Sequence, residues 1–166
     1  MKLADTNYDN SATGCCAPLD VAKWDNQTFT WDGKPFLKDH IRAFLHVPLN
    51  FGSVISRDHD KIENAAAYPA DPIWLTDEIS PWGSDVHVAI DRDSLPGATV
   101  EKLSGTFMTR VFEGPYRDIG RWIHTMHDHV AEQGKRLHKL YFFYATCPKC
   151  AKALGKNHVV LFAQVE

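Results

Sequence analysis

Nowhere does the sequence approach the ~20 consecutive apolar residues that a membrane-spanning helix needs. Its opening, Met1-Lys2-Leu3-Ala4-Asp5-Thr6-Asn7, lacks the apolar core of a secretory leader, so the cytoplasm is the expected address. A basic excess is missing as well. Lys and Arg number 18 against 21 Asp and Glu, a formal charge of −3, which argues against a nucleic-acid partner because such proteins show a basic stripe. Cysteine is scarce, at four. In a reducing compartment, Cys15, Cys16, Cys147 and Cys150 are expected as free thiols, metal ligands or redox groups rather than structural disulfides. Also absent are a P-loop, a G-x-G-x-x-G turn, a G-x-S-x-G elbow and an H-E-x-x-H helix. The nucleotide, serine-hydrolase and zinc-protease readings therefore have no local support.

What is present is a chain of 166 residues, enough for one domain with a core of its own. Aromatic residues reach 11 %, including five Trp, which serves either a large core or a lined pocket. Residues 1–23 are polar and read as an N-terminal arm. Residues 24–166 read as a single α+β domain with approximate halves 24–96 and 97–166, divided at the Leu95-Pro96-Gly97 turn.

In the first half, 24–36 reads as loop or hairpin around Gly33 and Pro35. A short helix is expected over 37–47 from the spacing of Ile41, Phe44 and Leu45. A strand is expected over 47–55, then a helix over 60–67 capped by Asp58, then strands at 73–75 and 85–90. The second half is clearer. Strands at 100–103 and 106–112 are two elements or one bent one. Asp118 then opens the strongest helix, with Ile119, Trp122, Ile123, Met126 and Val130 on one stripe and Gly134 ending it. Strands at 139–145 and 159–165 follow. Both halves read as βαββ, which predicts antiparallel sheet with helices on one face.

Cys147-Pro148-Lys149-Cys150 is the sharpest local signal. A C-P-x-C turn aims two thiolates at one point, and Cys15 and Cys16, or one of them with a His, are the ligands left to complete a structural zinc tetrahedron. The same motif after an apolar strand also fits thiol redox chemistry by Cys147 and Cys150, and two idle thiols in a turn is the plainest alternative. Glu113-Gly114-Pro115-Tyr116 joins a strand to the strong helix. A carboxylate held among aromatics there is a candidate general acid or base, against a solvated strand end with Tyr116 packed under the turn. Trp82, beside Gly83, is a candidate pocket lid or a core ring. His46 and His87 lie beside apolar strand residues, and either can enter a pocket. His124, His127 and Asp128 face water, opposite the apolar stripe, and read as surface.

The run from Gly97 to Val165, with its Gly114-Pro115-Tyr116 turn and βαββ tail, resembles the GyrI-like effector-binding domains. The whole chain also resembles a bacterial family loosely labelled hydrolases, of unknown substrate. The shared segments are Thr13-Gly14-Cys15-Cys16, Pro48 to Gly52, Ser80-Pro81-Trp82, Leu103 to Phe107, Val111 to Tyr116 and Cys147 to Ala151. The resemblance implies two βαββ repeats meeting at an aromatic-lined groove that takes a small molecule. Some relatives hydrolyse small strained electrophiles, and others bind lipophilic cations through a buried Glu. That Glu usually lies in the last strand, but Val159 to Gln164 contains no acid, so Glu113 or Glu78 has to substitute. No DNA-binding helix-turn-helix is present. The expectation is hydrolysis of a small hydrophobic compound, with Glu113 as base and Tyr116 as orienting or proton-donating group. Trp82, Trp122, Tyr144, His46 and Phe107 are expected to line the groove. A non-catalytic sequestering module is the alternative.

Overall fold

The computed structural model describes residues 19–45, 47–70, 72–146, 155 and 157–166. It divides into two compact units. Unit 1 comprises Asp32–Ser104, and unit 2 comprises the stretch up to Trp31 together with Gly105–Glu166. The described elements are α1 (Val21–Trp24), β1 (Gln27–Phe44), β2 (Val47–Pro48), α2 (Phe51–Asn64), β3 (Trp74–Ser80), β4 (Gly83–Ala89), β5 (Thr99–Glu113), a 3-10 turn (Tyr116–Asp118), α3 (Ile119–Glu132), β6 (Leu137–Tyr144) and β7 (His158–Val165). The order is βαββ twice over: β1-α2-β3-β4, then β5-α3-β6-β7. The α+β class and the duplicated antiparallel repeat are as the sequence predicts.

In unit 1, β1 pairs antiparallel with β4 from Phe36↔Ala89 to Arg42↔Gly83, and β4 pairs antiparallel with β3. The short β2 turns back on the end of β1. Val54 and Ile62 of α2 bury against Leu37, Ile41, Val86, Val88 and Ile90. Full burial of such a side chain contributes roughly 1.5–3 kcal/mol. Side chains alternate across a strand, so Asp85 and His87, between the valines of β4, stand on the sheet face without a helix.

Unit 2 repeats the plan. β7 lies between β5 and β6, with Thr106↔Val165 through Glu113↔His158 on one side and Tyr141↔Phe162 on the other. Trp122, Met126 and Val130 of α3 pack on Met108, Phe142, Val159, Leu161 and Ala163. These are the stripe residues expected from the sequence, and Gly134 (φ 68°) terminates the helix region as a left-handed residue. Asp118 precedes α3 but does not cap it through its side chain. Its carboxylate accepts instead from Arg121 at 2.9 Å.

Several first-half expectations are overturned. Residues 24–36 are not a hairpin, and 37–47 is not a helix: β1 runs unbroken from Gln27 to Phe44. Helical spacing put Phe44 and Leu45 with Ile41, yet both are more than half exposed while Ile41 is buried. The ladder to β4 satisfies this backbone and outweighs a weak local period. Residues 51–55, read as strand, begin α2. Asp58 is no cap. It lies within α2 on the buried stripe Val54-Asp58-Ile62, spaced by four, and Asn50 occupies the cap position. The strands at 100–103 and 106–112 are one element, β5, with Gly105 at φ 129° inside it.

Candidate functional site

The helix-free face of unit 2 is built from aromatics. Period two along β5 puts Phe107, Thr109, Val111 and Glu113 on this face, opposite Met108 and Phe112 on the α3 side. The ladders place Phe162 and Val160 of β7 beside them, then Tyr141 and Phe143 of β6. Trp24, Phe29 and Trp31 complete the layer. Ring centroids lie 4.5 Å apart for Trp31–Phe107, 5.4 Å for Trp24–Phe162 and 6.0 Å for Phe29–Phe107, within the range of favourable aromatic pairs. Phe107 and Phe162 are fully buried, while Trp24, Phe29 and Trp31 are half-buried. Two hydrogen bonds hold the α1 end of this layer on β5. The Thr109 hydroxyl donates to the Trp24 carbonyl at 2.5 Å, and the Val111 N–H donates to the Asp25 carboxylate at 3.0 Å.

At the end of the same face, Glu113 and His158 are cross-strand partners, with Glu113 Oε2 3.5 Å from His158 Nε2. The His158 side chain is largely buried and that of Glu113 is 57 % exposed. Glu113 therefore stands at the open rim of the face, rather than wrapped in aromatics as the sequence suggested.

The remaining candidates separate. Tyr116 lies in the 3-10 turn, where its hydroxyl donates to the Thr146 carbonyl at 2.5 Å and its ring meets Tyr144 edge-on at 6.1 Å. Tyr144 packs with the α3 cluster, so this pair belongs to the helix side and not to the Glu113 face. Trp122 is 4 % exposed and stacks on Phe112 at 5.7 Å, a core ring rather than a wall. Its Cζ2 lies 3.3 Å from where a Cβ on Gly114 would sit. With φ at 148°, that position suits glycine twice over, which explains the Gly in the Glu-Gly-Pro-Tyr turn. Trp82 belongs to unit 1, in the β3–β4 turn, 58 % exposed and 5.6 Å from Phe44. Among the described residues, Phe107 alone of the expected lining residues joins the aromatic layer. His46 and all four cysteines, Cys15, Cys16, Cys147 and Cys150, lie outside the described residues, as does the side chain of Glu78. Among the described residues no three His, Cys, Asp or Glu side chains converge as a metal site.

Unit 1 carries a charge network that the sequence reading missed, apart from His87. On its helix-free face, Lys38 Nζ lies 2.8 Å from Glu101 and 3.4 Å from Asp85, Asp85 is 2.9 Å from His40 Nδ1, and Glu101 is 3.7 Å from the buried His87 Nε2. The hydrogen bond with Glu101 raises the Lys38 pKa, and in return lowers that of Glu101. Burial pushes Asp85 up, but the His40 and Lys38 bonds outweigh it and hold the carboxyl below its ordinary range. Burial lowers the His87 pKa against the pull of Glu101, so the ring is neutral at pH 7. The signal was period two: Lys38 with His40 on β1, and Asp85 with His87 alternating with Val86 and Val88 on β4, fall on one face of paired strands.

Two βαββ repeats, each with its helix on one sheet face, make a GyrI-like fold. Solved structures that share it include three of different description. The C-terminal domain of EcmrR matches with a TM-score of 0.61 at 11 % identity, over 86 % of this chain and 98 % of that one. A hydrolase from Listeria innocua gives 0.61 at 12 %, over 86 % and 92 %. SAV2435 bound to tetraphenylphosphonium gives 0.51 at 12 %, over 86 % and 94 %. At such identities the likeness is one of fold. No curated protein matches the sequence. Residues 6–165 match the family described as "Bacterial hydrolase", and the chain belongs to that family.

Proposed function

We propose that the chain binds a small hydrophobic compound on the aromatic face of unit 2 and hydrolyses it there, with Glu113 as general base. The observation that carries this reading is the coincidence, on one helix-free sheet face, of half-buried aromatic rings and a carboxylate at the rim. The family description supports hydrolysis. The tetraphenylphosphonium complex of a protein of the same fold supports a bulky, lipophilic ligand that carries aromatic rings. Stacking on Trp24, held at Thr109 on the Glu113 side of the layer, orients the compound. Glu113 takes a proton from water as the water oxygen bonds to the electrophilic carbon, and the bond to the leaving group breaks as that group takes the proton back. His158, 3.5 Å away, positions the carboxylate. Tyr116 is left out of the reacting groups, because its hydroxyl is engaged by Thr146 and its ring lies on the α3 side.

The experiment is a hydrolytic assay over a panel of small apolar electrophiles (activated esters, lactones, strained rings), paired with binding by Trp fluorescence. Glu113→Gln is expected to lower turnover at least 100-fold, in the range of general-base loss, and to leave affinity within about twofold. Binding with no turnover by the unaltered chain would establish the sequestering alternative instead. Retained turnover in the variant would remove Glu113 from the chemistry.

A further inference from the structure

We propose a second binding site, in unit 1, for a small oxyanion of the sulfate or phosphate class, in the cleft between β1, α2 and the turn before β5, opened by a proton on Asp58. It is independent of the function proposed for unit 2.

The cleft has a volume of about 420 Å³ and is lined by Asp39, Arg57, Lys61, Gly97, Ala98 and Thr99. Lys38 also borders it, but its ammonium turns to the other sheet face and binds Glu101. The charged groups facing the cleft are therefore Asp39 from β1 and Arg57 and Lys61 from α2, and the 97–99 turn adds none. Arg57 Nη2 meets Asp39 at 2.5 Å, leaving the rest of its guanidinium fork available. Lys61 forms no ion pair among the described residues.

Beneath these side chains lies Asp58, fully buried, and neither of its oxygens accepts a hydrogen bond among the described residues. Burial and the neighbouring Asp39 push its pKa to about 7, opposed by Lys61 and Arg57. The charge balance of the cleft follows that proton. With Asp58 neutral, two cations stand against one carboxylate and the cleft is positive. With Asp58 ionised, the balance is zero. An oxyanion held between Lys61 and Arg57 gains net attraction in the protonated state, so anion binding and proton uptake are reciprocally linked.

Calorimetric titration of the full chain with sulfate tests this, because sulfate stays a dianion over the whole range. Saturable binding is expected at about pH 6, weakening about tenfold by about pH 8.5, the cost of one unit charge in a partly screened site. Asp58→Asn should bind equally at both pH values, and Lys61→Met should bind about tenfold more weakly at both. The proposal is overturned by no saturable binding at the lower pH, by an undiminished pH dependence in Asp58→Asn, or by sulfate binding that Lys61→Met leaves unchanged.

Discussion

Asp58 offers a second measurement, of stability. A carboxyl with no solvent contact takes a position in α2 where the pattern calls for an apolar residue, between Val54 and Ile62. Its pKa rises from 3.8 to about 7, first because burial disfavours the charge and then because Asp39 is near. Burial raises Asp39 too, but bonds from Arg57 and the His40 N–H prevail and hold it low. Asp39 therefore keeps the charge and Asp58 the proton, and the pair loses its two protons in two linked steps, the later one at about pH 7. In the unfolded chain Asp58 titrates near its ordinary value. Between about pH 4 and about pH 7 the folded state thus binds more protons than the unfolded one, and stability falls as pH rises through that window. Above it the loss is complete and constant. At ~1.4 kcal/mol per pH unit, the ceiling is about 4 kcal/mol.

Asp58→Asn removes the titration while keeping a group that donates to Asp39. Urea melts of the variant and the unaltered chain should coincide at about pH 5. At about pH 8 the variant should be more stable by about 2–4 kcal/mol, with an unchanged m-value. The difference between the two proteins isolates Asp58, since the depressed carboxyls Asp85, Glu101 and Glu166 contribute equally to both and lose their stabilisation only toward acid. A variant no more stable at about pH 8 than its parent would refute the reasoning.

Two further outcomes are expected. Trp122→Ala should cost about 3–5 kcal/mol in the same melts, because it empties a packed site against Phe112 and Met126, whereas Trp82→Ala, at an exposed turn, should cost under about 1 kcal/mol. For the cysteines the zinc proposal stands on the sequence, and elemental analysis of protein purified without chelator should find about one zinc per chain with all four thiols protected from alkylation. Metal-free protein with reactive thiols would reject it, and a rapidly formed Cys147–Cys150 disulfide would favour the redox alternative.

How much was legible depended on whether the local pattern had one solution. The α3 stripe from Ile119 to Val130 admits only a helix, and the sequence placed it within a residue or two. The run Phe107 to Phe112 carries β-branched and aromatic residues on both faces and reads only as strand. Residues 37–47 satisfy a weak helical period and an extended pattern alike, and the choice was made by β4, which supplies the ladder partners. The candidate site suffered for the same reason. Glu113, Tyr116, Trp122 and Tyr144 are close in sequence or in type, but period two along β5 and β6 sends Glu113 and Tyr144 to opposite faces, and the 3-10 turn and α3 carry Tyr116 and Trp122 to the side of Tyr144.

Taken alone, the sequence determined the class of fold, the repeat of strand, helix and two strands, and the face of α3 that packs. These follow from periodicity and turn residues, which act over a few positions. Only the tertiary structure decided which aromatics share a surface, that Trp122 is core, that Lys38, Asp85 and Glu101 form one network, and that Asp58 is buried beside Asp39. Those facts depend on strand register and on burial, which are set by residues tens of positions apart, and no local pattern encodes them.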